Sequence, residues 1–200
     1  MHVKTILRSL ALAAVGFAVS QAAFAQGDLQ EPIGTIDTCN LIAQKVLDYN
    51  GNPIQSSGAG TANFQTVRNS PEGEVPKSTG LLPVSIVTKT QSPQLGIITI
   101  QNDQTRSQPL TVAQSNQASS DFPASLNIQF FATATVESLP GVVFVSDRPI
   151  QLVNPSVTQL HPLQGELRQV GSNVFYSREN PKLRFGLHDA RLEVTGHDLQ

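Results

Sequence analysis

The sequence predicts an all-β protein, an antiparallel β-sandwich that follows an N-terminal signal peptide. Three observations predict it. Short apolar runs are separated by closely spaced breakers, among them Ser70-Pro71, Ser92-Pro93, Leu139-Pro140-Gly141 and Asn180-Pro181. One long run, Leu126 to Val136, alternates apolar and polar residues with the two-residue period of a sheet covered on one face. Finally, no fixed-period repeat runs through the chain, which argues against a solenoid or propeller.

The signal comes first. Lys4 and Arg8 form a positive start, Leu10 to Val19 an apolar stretch, and Ala23-Phe24-Ala25 a small-x-small cleavage site before Gln26. About ten apolar residues are too few to span a bilayer, which takes about 20, and no further stretch approaches that length. Residues 1–25 are therefore read as a signal peptide, and the mature chain as free of integral membrane segments. Its position 26 is Gln, so no cysteine is placed to carry a lipid. Eleven basic and fifteen acidic residues remain after cleavage, a net charge of −4, which leaves no basic surplus for nucleic acid.

Residues 26–36 (QGDLQEPIGTI) lack periodicity and read as a flexible N-terminal arm, and residues 37–200 as one β-sandwich domain. Thr38 to Tyr49 fits either a helix face (Leu41, Ile42, Lys45, Val46, Tyr49) or a strand running into the Asn50-Gly51 turn; the β content of everything after it favours the strand. Candidate strands follow at Asn63–Asn69, Leu82–Lys89, Leu95–Gln101, Leu110–Ala113, Ser125–Val136, Val142–Val145, Ile150–Val153, Val174–Ser177, Leu183–Leu187 and Arg191–Thr195. A straight strand over residues 126–136 would run about 36 Å, so a bend or bulge is expected near Phe130-Phe131. Residues 103–121 are polar and weakly patterned and read as a spacer holding at most an edge strand. Two hairpins are predicted by side-chain matching. One turns at His188-Asp189 and sets Phe185 against Leu192, Leu183 against Val194 and Arg184 against Glu193; the other turns at Asp147-Arg148 and sets Val145 against Ile150 and Val143 against Leu152.

Few residues suggest chemistry. His161, His188 and His197, the latter two each followed by Asp, are the candidate metal or catalytic groups. An extended chain between His188 and His197 would hold them roughly 30 Å apart, whereas co-ligands sit about 2 Å from one ion. Solvated turn and terminal histidines are thus the expectation. The single cysteine of the mature chain, Cys39, allows no internal disulfide; it reads as a buried small hydrophobe, with an intermolecular bridge or a nucleophile as the other readings. Asp48-Tyr49-Asn50-Gly51-Asn52 spaces side-chain oxygens as a calcium loop does, but Pro53 stands at the glycine position and Ala59 at the bidentate glutamate, so the segment reads as a turn. No Gly-x-Ser-x-Gly, Ser-x-x-Lys set, His-Glu-x-x-His or phosphate loop is present; Ser57-Gly58-Ala59-Gly60-Thr61 lacks the lysine.

Val46-Leu47-Asp48-Tyr49-Asn50-Gly51-Asn52-Pro53-Ile54 resembles the V-x-D-x-N-G-N-P-V signature of bacterial immunoglobulin-like surface domains. The resemblance covers nine residues, implies an immunoglobulin-like or similar sandwich, and brings no functional residue with it.

These readings converge on an exported noncatalytic β-domain, extracellular, at the cell surface or in the periplasm. It would serve as a structural or binding module that self-associates by strand addition through the 26–36 arm, its partner a second copy or another surface protein. No catalytic, cofactor or metal residue is assigned. The alternatives are an exported hydrolase or metal-binding protein using His161, His188 or His197, and a carrier of a small apolar ligand.

Overall fold

A computed structural model describes residues 28–195, all of whose regular elements are strands joined in antiparallel pairs. The expected signal peptide and His197 lie outside the described residues. In chain order the strands are β1 (Ile36–Tyr49), β2 (Asn52–Asn69), β3 (Ser78–Ser92), β4 (Gly96–Asn102), β5 (Thr111–Ser115), β6 (Ala124–Phe130), β7 (Ala132–Val136), β8 (Val143–Ser146), β9 (Ile150–Val157), β10 (Gly165–Gln169), β11 (Asn173–Ser177) and β12 (Arg184–Thr195). The all-β, antiparallel expectation holds.

The layers are joined along both sides, because the sheet closes on itself. β1 pairs with β2 on one side and β12 on the other, and β2 pairs with β3. β3 then takes β5 beside Ser78–Leu81 and β4 beside Val87–Ser92. Likewise β12 takes β11 beside Arg184–Leu187 at its start and β10 beside Arg191–Val194 at its end. Between these long strands the staves are double: β4 above β5, β7 above β6, β8 above β9, β11 above β10. Every strand has a neighbour on both sides. The result is a barrel of eight staves, four of them broken at mid-height, and at that strand number side chains just fill the interior.

Alternation explains which face turns in. Leu126, Ile128, Phe130, Ala132, Ala134 and Val136 are all buried, and the break predicted near Phe130-Phe131 falls at Phe131, between β6 and β7. On β1 the inward set is Cys39, Leu41, Ala43, Lys45 and Leu47. The Asn50-Gly51 turn is observed, with both residues at positive φ (54° and 79°) as a two-residue hairpin demands. The resemblance segment 46–54 builds this hairpin.

Two features set the interior's shape. On β2, a Cβ at Gly58 would stand 2.0 Å from the Lys89 carbonyl oxygen, and one at Gly60 would stand 2.1 Å from that of Val87. The sheet folds so tightly here that only glycine fits, which brings β3 over β1. At mid-height, amide and hydroxyl side chains replace the ladder bonds that the broken staves lack. Asn102 Oδ1 accepts from Ile86 N at 3.0 Å, Gln108 Oε1 from Phe131 N at 2.9 Å, and Ser146 Oγ from Ala132 N at 3.0 Å. Asn173 Nδ2 donates to the carbonyls of Arg148 and Pro149, and Gln169 Oε1 accepts from Ala190 N.

Four expectations are corrected. Arg184–Thr195 is one strand, not a hairpin: Phe185 pairs with Tyr49 and Phe175, Leu192 with Ala43 and Leu167. Asp189 does take positive φ (45°), but within a bulge where β12 carries one residue more than β1. β8 and β9 likewise do not pair with each other; β8 lies between β7 and β11, β9 between β6 and β10. The segment 103–121 contributes β5 as a stave between β3 and β6. And residues 28–35, where an arm was expected, are fastened to the barrel. Leu29 is fully buried, its N–H bonds Asp121 Oδ2 at 3.1 Å, and Gly34 N donates to Thr66 O at 2.7 Å.

Candidate functional site

The strand alternation of β1 places Lys45 where an apolar residue belongs, between Ala43 and Leu47 on the inward face. Its side chain is 5% exposed as a residue and crosses the barrel to β3, where Nζ donates to Thr88 Oγ1 at 2.5 Å. That reach depends on the glycine corner, since Gly60 is paired with Thr88 and lies on the strand between the two. Thr88 Oγ1 is also 3.4 Å from the Ile100 carbonyl, to which it donates.

Around the amine is a small chamber of about 20 Å³, enough for one water molecule. Its walls are Ile86, Ile100, Phe130, Ile150, Leu152, Leu187, Ala190 and Leu192, with Thr88 the one polar neighbour. The chamber sits at the level of the broken staves: Phe130 ends β6, Ile150 begins β9, and Ala190 belongs to the β12 bulge. Among the described residues no carboxylate lies within ion-pair distance of Lys45. Loss of hydration therefore acts unopposed, and burial pushes the ammonium down from 10.5 to about 7. Lys45 also contributes to the lining of an outer groove of about 660 Å³ across β12, β1, β2 and β3, whose other walls include Gln44, Gln55, Ser57, Gln91 and Arg191. Ser56, paired with Lys45 on β2, has a buried hydroxyl oxygen without a hydrogen-bond partner.

The histidines do not meet. His161, in the connection between β9 and β10, is nearly buried and places Nδ1 2.5 Å from Asp37 Oδ2 at the start of β1. His188 is exposed and pairs with Val46, nine residues further along β1, about 30 Å away at strand rise. His161 Nε2 is buried without a partner. Cys39 lies on the same face of β1 as Asp37 and is fully buried. Burial, and then the Asp37 carboxylate, push its thiol up to about 11, so it stays protonated at neutral pH and is a poor nucleophile. The buried-hydrophobe reading of Cys39 fits this placement. Among the described residues no group of three or more His, Cys, Asp or Glu side chains is placed to hold a metal ion.

The sequence reading passed over Lys45. The signal was present: once 38–49 is taken as a strand, positions 39, 41, 43, 45 and 47 share a face, and a lysine among Cys, Leu, Ala and Leu stands out.

Among the described residues no helix is long and apolar enough to cross a membrane. No known family profile and no curated protein sequence matches the chain. Among solved structures the chain is similar to DynF from the dynemicin biosynthesis pathway of Micromonospora chersina, at 14% identity and a TM-score of 0.70, over 88% of this chain and 87% of that one. At that identity the likeness is one of fold, and it supports the all-β architecture.

Proposed function

We propose that the protein is an exported noncatalytic binding module whose barrel holds a small, mainly apolar molecule with one polar oxygen directed at Lys45. The observation that carries this reading is the amine itself. An unpaired lysine in an aliphatic chamber costs several kcal/mol in native stability, and a methionine or leucine would fill the same space without that cost. Groups kept in such a state are concentrated at functional sites. Export rests on the 1–25 pattern. The inward face is apolar, while the outward face carries Asn40, Gln44 and Lys89 among scattered apolar residues such as Ile42 and Ile97, a mixture that suits a module working in water. Strand addition to a neighbour finds less support, since each strand already has two partners and residues 28–35 are docked. A hydrolase built on His161 and His188 would need two groups that β1 holds apart.

The test is an amide NMR titration of the mature protein with 1-hexanol, an alcohol small enough to enter by side-chain adjustment. Saturable shifts centred on Thr88, Leu187, Ala190 and Leu192 are expected. Absence of saturable shifts, or shifts confined to exposed residues such as Ile97 and Val143, would contradict internal binding.

A further inference from the structure

We infer that Lys45 is a covalent capture site for small apolar aldehydes, which it binds as an imine inside the barrel. The inference rests on the internal-binding reading above and names the ligand class that the chamber's chemistry suits best.

Three observations lead there. The amine has one partner, the Thr88 hydroxyl, and no carboxylate in the lining to hold it as an ammonium. Every other wall residue is aliphatic or aromatic, so a bound carboxylate would lose its water and find one hydroxyl and one ammonium in return. A neutral carbonyl gives up far less hydration. And Ala190, the smallest wall residue, lies in the β12 bulge opposite Lys45, where the wall must yield to admit a short alkyl chain, since the chamber as it stands has room for one water. Nothing else titratable lines the chamber; Asp189 and Arg191 on the same strand are exposed and ion-paired to each other.

The step balances without a further reactant. The Nζ lone pair attacks the carbonyl carbon to give a carbinolamine; the carbon–oxygen bond then breaks, and the oxygen leaves as water with the two hydrogens that began on nitrogen. A C=N bond replaces C=O, and nothing is oxidised or reduced. The product is neutral, and its nitrogen lone pair can accept from Thr88 Oγ1, which reverses the donor role in the present bond. An amine that titrates near 7 supplies free base for this at neutral pH, where an ordinary lysine side chain supplies almost none.

The experiment treats the mature protein with butanal and sodium cyanoborohydride at pH 7, which fixes any imine as a butyl amine, followed by peptide mapping. Lys45 should be alkylated at least about tenfold faster than Lys77, Lys89 and Lys182, the expectation set by its larger free-base fraction. Added 1-hexanol should slow it, and K45M, confirmed as folded by its urea midpoint, should show only the slow background. Equal labelling of all four lysines, or labelling of the exposed three alone, overturns the inference. If Lys45 stays unlabelled while 1-hexanol still shifts the Thr88 and Ala190 amides, aldehyde capture fails and internal binding stands; if the hexanol shifts are also missing, both fall.

Discussion

Replacing Lys45 with methionine should stabilise the protein, and by an amount that depends on pH in a defined way. In the unfolded chain the amine keeps its proton up to about pH 10.5; in the barrel it releases it near 7. Between those values the unfolded chain binds more protons at this amine, so the Lys45 contribution to stability rises with pH across that window and is flat below it. At 1.36 kcal/mol for each pH unit, the gap between 10.5 and about 7 corresponds to roughly 5 kcal/mol of destabilisation at pH 6, vanishing above pH 10.5. Methionine fills the chamber with an unbranched apolar chain and carries no such term. It leaves Thr88 Oγ1 without its 2.5 Å donor, a loss of about 1 kcal/mol. The variant should therefore exceed wild type by a few kcal/mol at pH 6, by less at pH 9, and by nothing or slightly less than nothing at pH 11. Urea unfolding of both proteins at pH 6, 8, 9 and 11 measures this directly, since other titrating groups are common to the pair. A difference that stays constant with pH, or a variant less stable throughout, would refute the reasoning.

Other outcomes follow from the same geometry. Gly60→Ala forces a Cβ to 2.1 Å from the Val87 carbonyl oxygen and should cost on the order of 3 kcal/mol, read as a lowered denaturant midpoint, whereas Gly51→Ala in the open turn should cost less. Leu29→Ala removes a fully buried side chain that fastens the N-terminal segment, a loss of about 2–4 kcal/mol and, in hydrogen exchange, faster exchange at Gly34 and Thr66. Cys39 should resist Ellman's reagent in the native protein at pH 7 and react promptly in 8 M urea; fast native reaction would contradict its burial.

Much of the fold could be read from the sequence because it is written in local period. The alternation from Leu126 to Val136 identified the inward face residue by residue, and the excess length of that run located the break at Phe131. Asn50-Gly51 announced its hairpin through backbone chemistry alone. What local reading could not supply was pairing. Phe185 and Leu192 are similar residues symmetrically placed about His188-Asp189, so they suggest a hairpin; in the barrel each finds better partners on β1, β10 and β11, and the positive φ of Asp189 serves a bulge. Gly165–Gln169 went unnoticed as a strand because Leu167 is its one apolar residue, the rest of the strand being exposed or half-exposed. Closure likewise depends on β1 meeting β12, some 150 residues away in sequence, which no window of local pattern contains. Lys45 was hidden by the same ambiguity: on a helix it would join a mixed face with Ile42, whereas on a strand it stands alone as a charge among apolar neighbours.

The state of that amine can be measured directly. The lysine Cε resonances of the mature protein, followed by heteronuclear NMR from pH 5 to 11, report each amine separately. Lys45 should titrate near 7, far below the ordinary lysine range. A Lys45 that titrates near 10.5 would mean that the barrel interior does not hold an unpaired amine, and the binding site proposed around it would have no basis.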